Sequence, residues 1–298
     1  MAHPGTGSAG ASRAGAAGTH PRRRDAYLRR REGSENFPVA LRLLPREPRT
    51  HLKAVYDVAR VIDDLGDQAA GDRTAGLLAF QADLATVWRG GTPRAAVLRR
   101  LVPTVRARGL SREPFDDLVR ANLQDQRVHR YATFDDLRGY CALSAEPVGR
   151  IVLAVFGAGT PRTVALSDQV CTALQLVEHW QDVAEDRRAG RVYLPQEDLA
   201  AFGVPETDLD LPATSPRLRR LMAYQTDRAE AMLEAGAPLL GLLRGWARLA
   251  VAGYVAGGRA AIDGLRESNW AIMSGSPGTS RLAVVRHLSR GFLRKAVP

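Results

Sequence analysis

The sequence predicts an almost entirely helical protein. Apolar side chains recur every three to four residues over long stretches, whereas the alternation typical of β-strands is scarce. Glycine and proline gather at the chain ends and between these stretches, where they end helices. A chain of 298 residues buries roughly three quarters of its unfolded surface, which permits a large core. We therefore expect an all-α fold.

The helical patterns follow one another with short breaks. Their predicted ranges are 49–65, 72–88, 94–107, 112–129, 134–157, 163–187, 216–245, 246–273 and 280–295. Gly66 is interpreted as a helix break, and Pro147 should kink the helix that contains it. Beside it, Ser144, Ala145 and Gly149 either allow close helix packing or leave space for a long ligand.

The net charge of +10 is confined to the two ends of the chain. Residues 1–33 carry a net charge of +5, residues 276–298 carry another +5, and the body between them is neutral. This distribution argues against a nucleic-acid-binding body. Residues 1–33 contain almost nothing large and apolar, so we expect a disordered basic tail. Such a tail either solubilises the chain or contacts an anionic membrane surface.

The C-terminal residues 276–298 are predicted to form a basic amphipathic helix or tail. Leu282, Val285, Leu288 and Phe292 fall on one side of a helical wheel, with Arg286, Arg290 and Arg294 opposite. This helix either caps the core of a domain spanning residues 34–275 or lies on a membrane. The chain has no apolar run of about 18 residues, no signal-peptide pattern and two cysteines. We expect a cytoplasmic protein, peripheral at most at the inner face of the membrane.

Two acidic rows carry the functional prediction. Glu178, Asp182 and Asp186 have i, i+4 and i+8 spacing, which stacks three carboxylates on one helix face. A divalent cation would relieve their repulsion, and hard oxygen ligands favour Mg²⁺. A solvated acidic face is the simpler interpretation of this row taken alone.

The second acidic row lies more than a hundred residues upstream. It consists of Asp63, Asp64 and Asp67, and Tyr56 and Arg60 precede Asp63 on nearly the same helix face. Arginine at this position pairs with the carboxylates or reaches a phosphate. Two acidic helices that face each other across a cavity are suited to hold several Mg²⁺ ions around one diphosphate.

Five ordered segments resemble the trans-isoprenyl diphosphate synthases of the squalene and phytoene synthase type. They are SENFPVA at 34–40, YDVARVIDDLGD at 56–67, Arg130–Tyr131, YCALSAEPVG at 140–149, and QDVAED followed by GRVYLP at 181–195. The resemblance covers about residues 34 to 270. It implies a single-domain isoprenoid synthase fold around a central apolar cavity, with two or three Mg²⁺ ions.

The resemblance also assigns roles to individual residues. The metal ligands would be Asp63, Asp64, Asp67, Glu178, Asp182 and Asp186. The catalytic residues would be Tyr56, Arg60, Tyr131, Gln175 and Tyr193, and the diphosphate would be bound by Ser34, Asn36, Arg60 and Arg191. Arg130 is either a cavity wall or half of an ion pair, and the lone His179 is interpreted as structural.

The segments SENFPVA and WQDVAED look most like bacterial hydroxysqualene synthases. These enzymes convert presqualene diphosphate and water to hydroxysqualene and diphosphate. One departure is Glu178, which stands where relatives usually present asparagine. Head-to-head condensation of two prenyl diphosphates, such as farnesyl diphosphate, is the alternative within the same fold. A catalytically silent scaffold for partner enzymes of squalene synthesis is the alternative of another class.

Overall fold

The computed structural model describes residues 44–275 and 278–293. The expectations for the tail 1–33, for Ser34 and for Asn36 fall outside these residues. The described helices are α1 (Arg46–Asp67), α2 (Arg73–Leu84), α3 (Ala96–Arg108), α4 (Glu113–Asp125), α5 (Phe134–Ser144), α6 (Glu146–Val155), α7 (Pro161–Gln181), α8 (Val183–Arg188), α9 (Gln196–Ala201), α10 (Pro216–Gly236), α11 (Leu239–Leu242), α12 (Gly245–Glu267) and α13 (Arg281–Leu293). Short 3₁₀ turns span Ala85–Val87, Glu206–Asp210 and Ile272–Ser274.

The prediction of an all-α protein is confirmed. Within the described ranges, the one β-bridge is an isolated pair between Arg130 and Val192. Local sequence explains several helix starts, since Thr133 and Thr160 each form a capping box that satisfies backbone N–H groups of the first turn. At the end of α3, Gly109 adopts φ 60°, the left-handed conformation that glycine accepts without strain.

Three predicted helices are interrupted, and that over 216–245 divides into α10, which ends at Gly236, and α11, which begins at Leu239. The predicted helix 134–157 divides at Ala145 into α5 and α6, with Pro147 in the first turn of α6. The predicted helix 163–187 ends at Gln181, because Asp182 leaves helical geometry at φ −104° and ψ 13°, and α8 starts at Val183. The acidic row of Glu178, Asp182 and Asp186 is therefore not carried by one continuous helix, as the spacing had suggested.

Gly66 does not break α1, which contradicts the interpretation from sequence. It is buried and helical, and a Cβ added there would lie 2.2 Å from Asn122 Oδ1 of α4. Gln126 also donates a 3.0 Å hydrogen bond to the carbonyl of Gly66. The missing side chain lets α1 and α4 approach closely, and this approach places Asn122 next to Asp63 in the acidic row of α1.

The core has two parts that share α6. One part packs residues of α1 to α4 against Ile151, Val152 and Val155. The other surrounds α7, whose Leu176 and Trp180 are fully buried. α10 lies so close to α7 that a Cβ on Gly236 would meet the backbone of Leu166 and Val170 at 2.8 and 2.9 Å. Helix α7 is thus held rigidly at the centre of the fold.

The C-terminal helix α13 packs along α12, and Leu288 of its predicted apolar face is half-buried there; the side chains of Phe292 and Arg290, and the whole of Arg294, lie outside the described residues. Ala283 is buried, and Arg286 and His287 reach Asp263 of α12 at 2.5 and 2.7 Å. Leu282 and Val285 instead remain 82% and 63% exposed. No described helix is both long enough and apolar enough to cross a bilayer.

Candidate functional site

A cavity of about 380 Å³ lies between α1, α4, α5, α6, α7 and the segment after α8. The residues that line it are Arg60, Asp63, Asp67, Leu118, Ala121, Asn122, Asp125, Tyr140, Ser144, Val148, Gln175, Glu178, His179, Asp182, Asp186, Arg191 and Tyr193. Both acidic rows therefore open into one space, although more than a hundred residues separate them in the chain.

The first wall is formed by α1. Asp63 accepts a 3.3 Å hydrogen bond from Asn122 Nδ2. The pKa of its carboxyl is raised to about 7, mainly by burial and less by the neighbouring carboxylates of Asp67 and Asp64, against the opposing effects of the Asn122 hydrogen bond and Arg60. A carboxyl with so high a pKa lacks sufficient positive charge around it, and a cation bound in the cavity would restore its ionised form.

The second wall is formed by the end of α7 and by α8. Gln175, Glu178 and His179 come from α7, Asp182 lies at the joint, and Asp186 comes from α8. His179 Nδ1 is 3.8 Å from Asp186 Oδ2, and its ring stacks on Tyr193 with a centroid distance of 3.7 Å. The ring thus lies between Asp186 and Tyr193.

Arginine side chains lie among the carboxylates. Arg191 Nη2 donates a 2.7 Å hydrogen bond to Asp67 Oδ1, which joins the segment after α8 to the end of α1. Arg60 Nη2 is 3.5 Å from Asp64 Oδ1, within the same helix. Both guanidinium groups line the cavity or its rim, where they can exchange a carboxylate for an anionic ligand.

A tyrosine cluster surrounds Asp125, which the sequence did not single out as a site residue. Tyr140 donates a 2.7 Å hydrogen bond to Asp125 Oδ2, and Tyr193 lies 3.4 Å from Oδ1. Burial raises the pKa of the Asp125 carboxyl, while the Tyr140 hydrogen bond lowers it. The sequence did contain one indication of this role. Asn122 and Asp125 lie on the same helix face as Leu118 and Ala121, and polar residues on an otherwise apolar face suggest a site.

The structure does not bring every predicted residue to the cavity. Asp64 does not line the cavity; it follows Asp63 by one residue, about 100° around the helix. Tyr131 is buried behind Tyr140 and Tyr193, with ring centroids 5.6 and 5.8 Å away. Tyr56 lies on α1 outside the cavity lining. The other predicted residues described by the structure, namely Arg60, Asp63, Asp67, Gln175, Glu178, Asp182, Asp186, Arg191 and Tyr193, all line it.

Arg130 is an ion-pair residue and does not line the cavity. It forms a two-pronged pair with Glu206 at 2.7 and 2.8 Å and donates to the carbonyl of Gly190 at 2.6 Å. Arg187 also contacts Glu206, at 2.5 Å. These bonds, with the Val192 N–H donating to the His129 carbonyl at 2.9 Å, hold the segment that presents Arg191 and Tyr193.

The Glu206 contacts predict a pH-dependent effect on stability. Hydrogen bonds from Arg130 and Arg187 lower the pKa of Glu206 from its ordinary 4.5. A lowered folded-state pKa means that the ion pair stabilises the protein above pH 4.5, and that this stabilisation is lost as the pH falls through the folded pKa. We expect Glu206→Gln to lower Tm at pH 7, with a difference from the unmodified chain that shrinks below pH 4.5.

Thermal melts of both proteins from neutral to acid pH measure this difference. Glu185→Gln is the control, because Glu185 is 63% exposed and its pair with Arg188 is long, at 3.9 Å. A Tm difference for Glu206→Gln that does not change with pH would contradict the prediction.

The carboxylates fit Mg²⁺ ions shared with a phosphate ligand. In residues 44–275 and 278–293, no three His, Cys, Asp or Glu side chains converge tightly enough to hold an ion alone. Mg²⁺ typically uses one or two protein carboxylates and completes its shell with water and phosphate oxygens. Asp63 and Asp67 on one wall, with Glu178, Asp182 and Asp186 on the other, are suited to such sharing. The raised pKa of half-buried Asp63 is consistent with a cation site.

Helices around a cavity with acidic residues on opposite walls define the all-α isoprenoid synthase class. The backbone superimposes on squalene synthase HpnC from Alicyclobacillus acidocaldarius with a TM-score of 0.75 and 39% identity, over 83% of this chain and 95% of that one. A ligand-bound dehydrosqualene synthase gives a TM-score of 0.82 at 25% identity, over 92% and 96%.

A model of the squalene/phytoene synthase family matches residues 30–287, and the chain belongs to this family. It is 37% identical over 210 residues to hydroxysqualene synthase of Rhodopseudomonas palustris, covering 69% of this chain and 70% of that protein. It is also 32% identical to presqualene diphosphate synthase of the same organism, covering 67% and 72%.

Proposed function

We propose that this protein converts presqualene diphosphate and water to hydroxysqualene and diphosphate. The observation that carries this proposal is the cavity itself, into which Asp63 and Asp67 open from one wall and Glu178, Asp182 and Asp186 from the other. The choice among reactions of the family is supported by the 37% identity to hydroxysqualene synthase of R. palustris.

The first step breaks the carbon–oxygen bond to the diphosphate, and the electron pair leaves with the diphosphate oxygen. Mg²⁺, when bound by the five carboxylates of the two walls, would neutralise the charge that develops on this leaving group. Arg60 and Arg191 donate hydrogen bonds to its oxygens, Arg191 by exchanging its contact with Asp67 for the ligand. Donors already in place stabilise the developing charge without further reorganisation.

In the second step the cyclopropylcarbinyl cation that is left rearranges, a carbon–carbon bond of its three-membered ring breaks, and water adds to the rearranged cation. The rings of Tyr140 and Tyr193 line the cavity and stabilise a cation through their π faces. Their hydroxyl groups are directed to Asp125, which keeps these oxygens away from the cation as competing nucleophiles. The water oxygen forms the new carbon–oxygen bond, and its proton passes to the released diphosphate or to solvent.

Ser144 is the residue best placed to position this water. It lines the cavity at the end of α5, and its buried hydroxyl has no hydrogen-bond partner in the described part of the chain. We expect Ser144→Ala to shift products from hydroxysqualene to hydrocarbons formed by proton loss, about 2–10-fold, as for one neutral hydrogen bond. Diphosphate release should keep its rate, because Ser144 does not contact the acidic walls. Product ratios by mass spectrometry give the measurement.

Ser167→Ala is the matched control for this substitution. Ser167 is also a buried helical serine, but its hydroxyl faces Cys171 at 3.9 Å and does not line the cavity. It should leave the product ratio unchanged. An unchanged ratio in Ser144→Ala would show that its hydroxyl does not position the water.

The test of the proposed function is product analysis from presqualene diphosphate with Mg²⁺ and no reductant. Reaction in ¹⁸O-labelled water should place one heavy oxygen in hydroxysqualene. Chelation of Mg²⁺ should stop diphosphate release, and added Mg²⁺ should restore it. Hydroxysqualene without label, or turnover that persists with the metal removed, would contradict the mechanism.

Head-to-head condensation of two prenyl diphosphates is the second candidate function. The 32% identity to presqualene diphosphate synthase of R. palustris, little below the value for hydroxysqualene synthase, favours keeping it. Farnesyl diphosphate offered alone distinguishes the two, since only a condensing enzyme consumes it. If neither substrate releases diphosphate, the remaining proposal is a scaffold for partner enzymes of squalene synthesis.

A further inference from the structure

The carboxylate of Asp67 has two possible sources of positive charge. Asp67 is the last residue of α1, whose end also carries Asp63 and Asp64 and has no basic side chain in its last turn. The carbonyl end of a helix carries partial negative charge, so an acidic cluster there needs a cation nearby. Arg191 supplies one, because its Nη2 lies 2.7 Å from Asp67 Oδ1. The Mg²⁺ of the proposed reaction would supply another.

A guanidinium and a metal ion oppose each other at this position. Both are attracted to the same carboxylate, but positive charges a few ångströms apart repel each other, and a cavity wall screens them less than bulk water does. Arg191 is 20% exposed and Asp67 is 48% exposed, so the pair lies at the rim of the cavity. A metal ion that takes Asp67 therefore binds more weakly while the guanidinium of Arg191 stays beside it.

The exchange of partners requires only the side chain of Arg191 to move. The backbone beside it is held on both sides, because Arg130 donates to the carbonyl of Gly190 at 2.6 Å and the Val192 N–H donates to the carbonyl of His129 at 2.9 Å. A flexible side chain on a fixed backbone can turn from one anion to another within the same cavity.

We propose that Arg191 competes with the metal for Asp67, and that a diphosphate group promotes metal binding by drawing the guanidinium away. The inference rests on the proposed diphosphate substrate. Diphosphate oxygens accept two parallel hydrogen bonds from a guanidinium, whereas Asp67 accepts one. The carboxylate of Asp125 also attracts Arg191 and keeps it facing the cavity after it leaves Asp67. Metal and substrate then bind cooperatively, each favouring the other.

The experiment measures the two ligands separately on the full chain, without turnover. Mn²⁺, a paramagnetic substitute for Mg²⁺, is titrated without diphosphate and followed by electron paramagnetic resonance. Inorganic diphosphate is titrated by calorimetry with a metal chelator present. For Arg191→Gln we expect the affinity for Mn²⁺ to rise about 5-fold. The metal-free affinity for diphosphate should fall about 10-fold, as for loss of a hydrogen bond to a charged group.

The opposite signs of these two changes identify competition, because loss of a merely structural contact would weaken both ligands. Arg191→Lys keeps the positive charge and should keep the affinity for Mn²⁺ close to that of the unmodified chain. Arg188→Gln is the matched control. Arg188 lies in the same segment but is 73% exposed and does not line the cavity, so its loss should change neither affinity.

Asp67→Asn examines the other partner of the pair. Without the carboxylate, Arg191 has no ion pair to give up, so the metal-free affinity for diphosphate should rise. This gain should be larger when Arg191 is present than in the Arg191→Gln background, since the difference measures the coupling between the two side chains.

The outcomes separate this inference from the proposed function. If Arg191→Gln binds Mn²⁺ no more tightly than the unmodified chain, competition for Asp67 is excluded and the proposed function stands. An unmodified chain that binds neither Mn²⁺ nor inorganic diphosphate would overturn the proposed function and this inference together.

Discussion

Asp182→Ala is expected to reduce the rate of diphosphate release at least 100-fold. Loss of a group that only orients metal ligands costs about 10–100-fold, and Asp182 is proposed to be a ligand itself. Asp182 lies at the joint between α7 and α8 and lines the cavity between Glu178 and Asp186. Without its carboxylate, the wall opposite Asp63 loses its central acidic group. The measurement is diphosphate released per unit time at saturating Mg²⁺, with the substrate that the unmodified chain consumes.

Glu178→Asn is the comparison that separates charge from position. An asparagine oxygen can replace one carboxylate oxygen toward Mg²⁺, so this variant should retain activity. Thermal melts of both variants show whether the fold is kept. Full turnover by Asp182→Ala in the presence of Mg²⁺ would refute the metal-binding role of this wall.

Gly236→Ala is expected to destabilise the protein by about 3 kcal/mol, the upper end of the usual cost of overpacking. The added Cβ would lie 2.6 Å from Val170 Cγ2 and within 3 Å of the backbone of Leu166 and Val170. A side-chain tip can rotate away, but the backbone of a buried helix cannot. For a protein of this size, the change lowers Tm by roughly 6–12 °C.

Gly257→Ala provides the opposite expectation in the same assay. This glycine is also buried within a long helix, but a Cβ there meets nothing within 4 Å. Alanine should therefore stabilise the helix by about 0.5–1 kcal/mol. Equal Tm values for the two variants would show that the contact between α7 and α10 is not tight at Gly236.

The sequence predicted the helices and their meeting point because both depend on repeated patterns. The i, i+4 spacing of Asp63 and Asp67 survives in the structure, since α1 is continuous through them. The break at Asp182 was not predicted. A three-carboxylate row has the same spacing whether the helix is continuous or interrupted, and tertiary packing decides which one forms.

The errors at Gly66 and Asp125 have a common physical cause. Glycine ends many helices locally, yet Gly66 lies inside α1, where the side chain of Asn122 occupies the space that a Cβ would fill. Asp125 has no periodic acidic partner, so its position at the cavity becomes visible only when Tyr140 and Tyr193 are seen to reach it. Contacts between helices far apart in the chain determined both.

The interruption at Asp182 means that the two halves of one acidic wall are anchored in different places. Glu178 is fixed by α7, which the core holds rigidly, whereas Asp186 belongs to a helix tethered at the surface by Arg187 to Asp210 at 2.7 Å. Substitutions at the protein surface can therefore alter ligand binding in the cavity. A substitution at Asp210 would change the tilt of the two-turn helix α8 and with it the position of Asp186. No residue that lines the cavity would be replaced.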